Sequence, residues 1–236
     1  MGQDDVVYDA SHIQVVEPLQ AIRRRPGMYV LSTGPQGLHH QLFELSDWAV
    51  NEVLAGHGER VDVTLRSDGW VRVAVDGWGV PVAADGDTGS PTLQDLLSVA
   101  TRRPADRQGV CCAAVALGPV VTNALSSRLV AEVRRQGVLW TQHYERGVAT
   151  NPPTPTGRVT AGDATVITFQ PDAGIFGTAE HSFGLLAETF SAPASLRPGL
   201  DLTLTDERPG KDPRSERYRF PGGATAQRRR SESGGC

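Results

Sequence analysis

The segment from Gly37 to Pro81 constrains the fold most, because it joins a long two-faced helix to a β-hairpin and a glycine turn. Apolar residues recur at steps of three and four, which predicts a helix over 38–55 with one buried stripe. That stripe consists of Leu38, Leu42, Leu45, Ala49 and Val53. A second set at helical spacing shares another face of the same helix. Its members are Glu44, Asp47, Trp48 and Asn51.

Two alternating runs follow this helix. Residues 61–66 and 70–75 alternate apolar and polar side chains around a Ser-Asp-Gly turn, which predicts a hairpin. Further helices are predicted at 15–24, 93–100 and 181–190, and further strands at 129–133, 138–143, 164–169 and 200–204. The apolar segment 115–125 fits either a helix or a strand, and the Pro-rich segment 151–156 is predicted to be a loop. This order indicates an α/β sandwich rather than a doubly wound parallel sheet.

Composition narrows the classes of protein. The chain has 236 residues, 39% of them hydrophobic, which is enough for one large α/β domain or two small ones. No apolar run approaches the length of a membrane span, so no membrane association is expected. The net charge of −4 argues against strong direct binding of nucleic acid. Three cysteines without metal-ligand spacing favour a reducing cytoplasm and predict no metal site built on cysteine or histidine.

The two ends of the chain differ from its middle. Residues 1–14 are predicted to be an extended N-terminal arm, and residues 15–222 to form one domain. The remaining segment, 223–236, is dominated by small, polar and arginine residues and is predicted to be a disordered basic tail.

Several further segments, in the correct order, resemble one family. Residues 21–30 read Ala-Ile-Arg-Arg-Arg-Pro-Gly-Met-Tyr-Val, where that family has Val-Arg-Lys-Arg-Pro-Gly-Met-Tyr-Ile. Residues 121–126 (Val-Thr-Asn-Ala-Leu-Ser) and 144–147 (Tyr-Glu-Arg-Gly) match two more of its segments. The chain thus resembles, over nearly its whole length, the nucleotide-binding domain of DNA gyrase B and its topoisomerase IV relatives, which are Bergerat-fold ATPases.

The resemblance implies an α+β fold, a Bergerat-type two-layer α/β sandwich whose mixed sheet of roughly eight strands carries helices on one face. It implies ATP and Mg²⁺ as cofactors, and ATP hydrolysis that drives type II DNA topoisomerase activity. Gyrase subunits, or a second copy of this chain, are the implied partners, joined through the arm that contains Tyr8 and Ile13. The transducer and DNA-cleavage domains of gyrase B are not expected within 236 residues.

The resemblance also assigns roles to individual residues. Glu44 falls at the position of the family's general base, and a carboxylate suits that role because it accepts a proton at hydrogen-bond range. Nine residues fall at nucleotide-binding positions. They are Asp47, Asn51, Asp76, Gly77, Gly79, Pro81, Gly118, Arg135 and Thr165. Four of these line the adenine side in the family, and in gyrase B the aminocoumarin site. They are Gly79, Pro81, Arg135 and Thr165.

Two positions depart from the family pattern inside the site. Trp48 stands where the family has an Asn that binds Mg²⁺, and an indole offers only an N–H donor to a metal that requires oxygen ligands. Asp47 or Asn51 is an alternative ligand. Val75 replaces the Asp that accepts the adenine amino group, and Asp76 lies one place late. On a strand this slip turns the carboxylate to the opposite face unless a bulge re-aims it.

The lid that covers the phosphates departs as well. Val115 and Ala116 replace family positions in a glycine-rich run whose backbone N–H groups contact phosphate, and only Gly118 of that run remains. These departures predict a catalytically impaired member of the family that acts as a binding or regulatory module. A diverged but active ATPase, and a protein that binds a nucleotide-like or aminocoumarin-like small molecule, are the alternatives.

Overall fold

The computed structural model describes residues 16–77, 79–83, 92–99, 118–162, 164–196, 200–209, 214–219 and 229–230. The predicted arm with Tyr8 and Ile13, the lid with Val115 and Ala116, and nearly all of the predicted tail lie outside the described residues. The two described tail residues, Arg229–Arg230, pair with a strand of the sheet.

Ten strands of the described residues form one sheet. They are β1 (Arg60–Leu65), β2 (Val71–Asp76), β3 (Ser126–Arg135), β4 (Val138–Glu145), β5 (Val148–Ala149), β6 (Thr154–Arg158), β7 (Ala164–Pro171), β8 (Asp201–Asp206), β9 (Arg214–Arg219) and β10 (Arg229–Arg230). The strand order is β10-β9-β8-β1-β2-β7-β3-β4-β5, with β6 also paired to β4. The β1–β8 pair is parallel and the other pairs are antiparallel, so the sheet is mixed as predicted.

Seven helices are described. They are α1 (Pro18–Arg24), α2 (Gly27–Val30), α3 (Pro35–Leu54), α4 (Leu93–Ser98), α5 (Gly118–Ala124), α6 (Ala173–Phe176) and α7 (Phe183–Leu196). On β1, Val61, Val63 and Leu65 are buried in the core that α3 and α4 share, while Asp62 and Thr64 between them stay partly exposed. The helices therefore cover one face of the sheet, which confirms the predicted α+β sandwich. No helix among these ranges combines the length and the apolarity that a membrane crossing requires.

The central helix α3 follows from its apolar spacing. Every residue of the predicted stripe, from Leu38 to Val53, is buried. The predicted hairpin also forms, with β1 and β2 paired antiparallel. Each fully buried aliphatic side chain of this kind contributes roughly 1.5–3 kcal/mol. Within the ambiguous segment 115–125, residues 118–124 form the helix α5, and 115–117 lie outside the described residues. All residues of α5 are buried, so the periodicity could not distinguish a helix from a strand.

One loop prediction is wrong. Thr154–Arg158, within and beyond the Pro-rich segment, forms β6 against β4, with Pro155 opposite Trp140. All five residues are exposed, and an edge strand tolerates proline because one side of its backbone needs no ladder partner. The polar strand β9 was not predicted for a related reason, since Tyr218 is its one buried side chain.

Candidate functional site

The candidate site lies where the second half of α3 faces the end of β2 and the start of β7. Trp48 and Val75 line one cavity there. The other residues of its lining are Glu52, His57, Asp76, Gly77, Gly79, Val80 and Thr165. The cavity measures about 10 Å³, roughly the space that one water molecule needs.

Two apolar side chains close this site. Trp48 and Val75 are each only 4% exposed, and both belong to the main hydrophobic core. Trp48 shares the helical spacing of Glu44 and Asp47, but it is buried whereas Asp47 is exposed. The indole therefore occupies the interior between the two layers and does not lie on a solvated face.

The carboxylate of Asp76 is directed elsewhere. Its Oδ1 accepts hydrogen bonds from the backbone N–H groups of Glu59 at 3.0 Å and Arg60 at 2.6 Å. The ladder between β2 and β7 runs without a break from Val71 to Asp76, so no bulge re-aims this side chain. This carboxylate oxygen is thus used to hold the start of β1, and Asp76 also lines the cavity. Its role in nucleotide binding stays a prediction.

The turn on the adenine side is held by two of the predicted residues. Thr165 Oγ1 accepts from the Val80 N–H at 2.9 Å, and Arg135 Nη1 donates to the Gly79 carbonyl at 2.8 Å. Gly79 has φ +71°, and a Cβ there would press on the Arg134 carbonyl, so glycine is required on two grounds. Pro81 is buried next to this turn. The structure therefore brings Gly79, Pro81, Arg135 and Thr165 together. The polar groups of Arg135 and Thr165 form hydrogen bonds that hold the turn.

Glu44 has a partner that the sequence reasoning missed. His40 Nε2 lies 3.3 Å from Glu44 Oε1, one helical turn earlier. Burial raises the pKa of Glu44, while His40 lowers it and Asp47 raises it further. A half-buried carboxylate beside an imidazole can exchange a proton with a bound molecule or water. The i, i+4 spacing of His40 and Glu44 was the available signal.

A second missed pair borders the cavity. His57 Nδ1 lies 2.9 Å from Glu52 Oε2, and both residues line the cavity wall. Gly77 stands against this pair, because a Cβ at Gly77 would overlap the His57 carbonyl oxygen. The glycine thus lets the turn approach the end of α3 closely.

Gly118 has a packing role in this structure. It starts α5, is buried, and a Cβ there would overlap the carbonyl oxygen of Glu44. Asn51 is partly buried on α3. Among the described residues no group of three or more His, Cys, Asp or Glu side chains is placed to hold a metal ion.

A mixed sheet with helices packed on one face defines a two-layer α+β domain, which is the architecture of the Bergerat type. No protein-family model matches the sequence. The DNA gyrase B protein of Micrococcus luteus is 43% identical over 204 residues, which cover 85% of this chain and 28% of that protein. The corresponding gyrase B protein of Streptomyces coelicolor is 41% identical over 210 residues, 88% of this chain and 30% of that protein.

A solved structure agrees with these relatives. The 43K ATPase domain of Thermus thermophilus gyrase B, in complex with an aminocoumarin, superposes with a TM-score of 0.73 at 32% identity and covers 88% of this chain and 52% of that one. This chain is therefore a homologue of the ATPase domain of DNA gyrase B. It spans about a third of the length of the gyrase B proteins that it matches.

Proposed function

We propose that this chain is a gyrase B-type ATPase-domain homologue that no longer turns over nucleotide and acts as a binding or regulatory module. One observation carries this proposal: the indole of Trp48, with Val75 beside it, leaves a cavity of about 10 Å³ where the family's nucleotide site is expected. Ligand sites for molecules of drug size measure roughly 300–1,000 Å³.

The side chains at this place also do not fit Mg-ATP chemically. Mg²⁺ requires oxygen ligands in tight octahedral geometry, and the indole of Trp48 supplies none. An adenine amino group would face the isopropyl group of Val75, and loss of a hydrogen bond to a charged partner costs roughly 1.5–3 kcal/mol. Glu44 and His40 keep acid–base character, but neither residue lines the small cavity beside the indole.

Isothermal titration of the full chain with Mg-ATP tests the proposal. We expect no saturable heat at concentrations up to about 1 mM, which corresponds to binding weaker than about 4 kcal/mol. Phosphate release should not exceed that of the Glu44→Ala variant. The double variant with Trp48→Asn and Val75→Asp should gain Mg-ATP binding, whereas Trp48→Phe, which keeps an apolar ring, should not.

A micromolar dissociation constant for the unaltered chain, with phosphate release that Glu44→Ala abolishes, would instead establish a diverged active ATPase. Binding without turnover would leave a nucleotide sensor and refute the closed-site argument.

For the regulatory part, we propose that the chain pairs with gyrase B, or with itself, through residues 1–14. The similarity to gyrase B over most of the chain supports this partner. Co-purification with gyrase B from the same source, with the full chain and with a chain lacking residues 1–14, tests the pairing. Equal capture by both chains would refute the role of the arm.

A second candidate is binding of an aminocoumarin. The related Thermus thermophilus domain was solved with such a molecule, and Arg135, Thr165, Gly79 and Pro81 converge here. Binding would require the Trp48 indole to move. This candidate is supported if novobiocin raises the melting temperature of the protein and Mg-ATP does not. It is refuted if neither compound raises the melting temperature.

A further inference from the structure

A second and much larger cleft opens between the two layers at the opposite end of the sheet. It measures about 410 Å³. Leu38 lines this cleft from the first turns of α3, while Trp48, ten residues later on the same helix, fills the nucleotide site. At 1.5 Å per residue the two places lie about 15 Å apart along α3. The closed site and the open cleft are thus separate.

The walls of this cleft are held by contacts that need no ligand. Arg208 donates from Nη1 to the His181 carbonyl at 2.8 Å, and it binds both carboxylate oxygens of the buried Asp206 at 2.8 Å. On the other side, the turn that carries Trp70 is fixed because Asp68 Oδ1 accepts from the Trp70 N–H at 3.1 Å. A preformed site binds without the cost of ordering its walls.

The interior surface of the cleft is divided between apolar and polar groups, and part of it is aromatic. Four buried apolar side chains and the half-buried indole of Trp70 contribute to this lining. The four are Leu38, Leu65, Val71 and Phe176. Burial lowers the pKa of His181, which also lines the cleft, to about 3, so its ring is neutral near pH 7. The indole and the apolar side chains favour a flat aromatic ligand, which gains from both area and ring geometry. The polar part of the lining favours a ligand that also carries a hydrogen-bonding group.

The charges around the cleft disfavour an anion. The guanidinium of Arg208 is neutralised by Asp206, and that of Arg66 lies 3.3 Å from Asp68. Glu180 adds an exposed carboxylate on the rim. Arg208 uses three of its five N–H groups in the contacts above, so two are available for an acceptor such as a carbonyl oxygen.

From this geometry we propose that the cleft is a ligand site for an uncharged aromatic molecule that carries an amide or ketone carbonyl. The ring lies against Trp70 and Phe176, and the carbonyl accepts from Arg208. This inference does not depend on whether nucleotide binds at the other end of α3.

Three probes of one shape test the charge requirement on the full chain: 2-naphthamide, the anion 2-naphthoate and the cation 2-naphthylmethylamine. Ligand-observed NMR should detect 2-naphthamide with a dissociation constant on the order of 1 mM, as expected for about a dozen heavy atoms. The anion should bind at least tenfold more weakly.

Two variants tie the signal to the cleft. Trp70→Ala removes the aromatic wall and should weaken 2-naphthamide binding about tenfold. Ala173→Trp places an indole at an exposed lining position and should abolish binding. Val148→Trp, at an exposed residue on the edge strand β5, is the matched control and should bind normally. Circular dichroism melts confirm that each variant is folded.

The inference is overturned if 2-naphthamide fails to bind at concentrations several times the expected dissociation constant. It is also overturned if 2-naphthoate binds as tightly as the amide, or if folded Trp70→Ala and Ala173→Trp proteins bind the amide as well as the control does.

Discussion

Replacement of Trp48 by alanine tests the closed site through stability rather than through ligand binding. A tryptophan buries about 150–250 Å², and at about 25 cal/mol per Å² this amounts to ~4–6 kcal/mol. Core Trp→Ala changes cost about 3–5 kcal/mol. Trp48 is only 4% exposed and lies in the main core, but it borders a small cavity that could admit water after the substitution. We therefore expect the free energy of unfolding to fall by about 3 kcal/mol, at the low end of this range.

Urea unfolding followed by far-UV circular dichroism measures this loss. With a slope of about 1–3 kcal/mol per M, the midpoint should fall by about 1 M or more while the slope stays unchanged. The vacated space should then accept the group that was removed. Free indole at about ten times its dissociation constant should restore ~1.4 kcal/mol to the Trp48→Ala protein.

Trp140→Ala is the matched control, because Trp140 is only partly buried on β4. It should lose less stability, and indole should not restore it. If Trp48→Ala costs less than about 1 kcal/mol, or if indole leaves its midpoint unchanged, the indole does not fill the interior and the argument for a closed site fails.

Three further predictions concern the surroundings. Burial raises the pKa of Glu44 above 4.5, so the native state binds this proton more tightly than the unfolded chain does. Its contribution to stability falls as pH rises from about 4.5 through the raised value, and Glu44→Gln should remove that slope in urea titrations at several pH values. Arg208→Met removes the bidentate partner of the buried Asp206 and should cost about 3 kcal/mol in thermal melts, more than Arg208→Lys. Gly118→Ala should cost about 1–3 kcal/mol by urea unfolding, because its Cβ meets the Glu44 carbonyl, whereas Gly184→Ala on α7 meets open space and should be neutral or stabilising.

Periodicity predicted the centre of this fold well and its edges poorly. The stripe of α3 and the alternation of β1 and β2 follow burial directly, because the stripe from Leu42 to Val53 and the two strands share the main core. Leu38 packs in a second, smaller cluster. Strands β6 and β9 bury few side chains, so their sequences lack the alternation that marks a buried face. Their pairing is determined by the neighbouring strands β4 and β8, which sequence reasoning did not place beside them.

The candidate site was predictable as a set of positions but not as a shape. The substitutions at Trp48 and Val75 are visible in the sequence, and so is the slip of Asp76. Three features of the site depend on side-chain direction, which the sequence does not give. The indole enters the interior. Asp76 binds the backbone of Glu59 and Arg60. Thr165 and Arg135 hold the glycine turn. Spacing along the chain carries no information on the volume left between two layers.

Under the proposed function, the same two substitutions let the fold persist without a ligand. A site built to hold a charged nucleotide keeps polar groups and empty space inside the domain, and both weaken the free protein. Trp48 and Val75 replace them with apolar surface continuous with the core of α3, β1 and β2. The chain should therefore be as stable without Mg-ATP as with it. Restoration of Asn at 48 and Asp at 75 should lower the stability of the free protein and make it depend on the nucleotide, because binding would then supply the contacts that the two apolar side chains now provide.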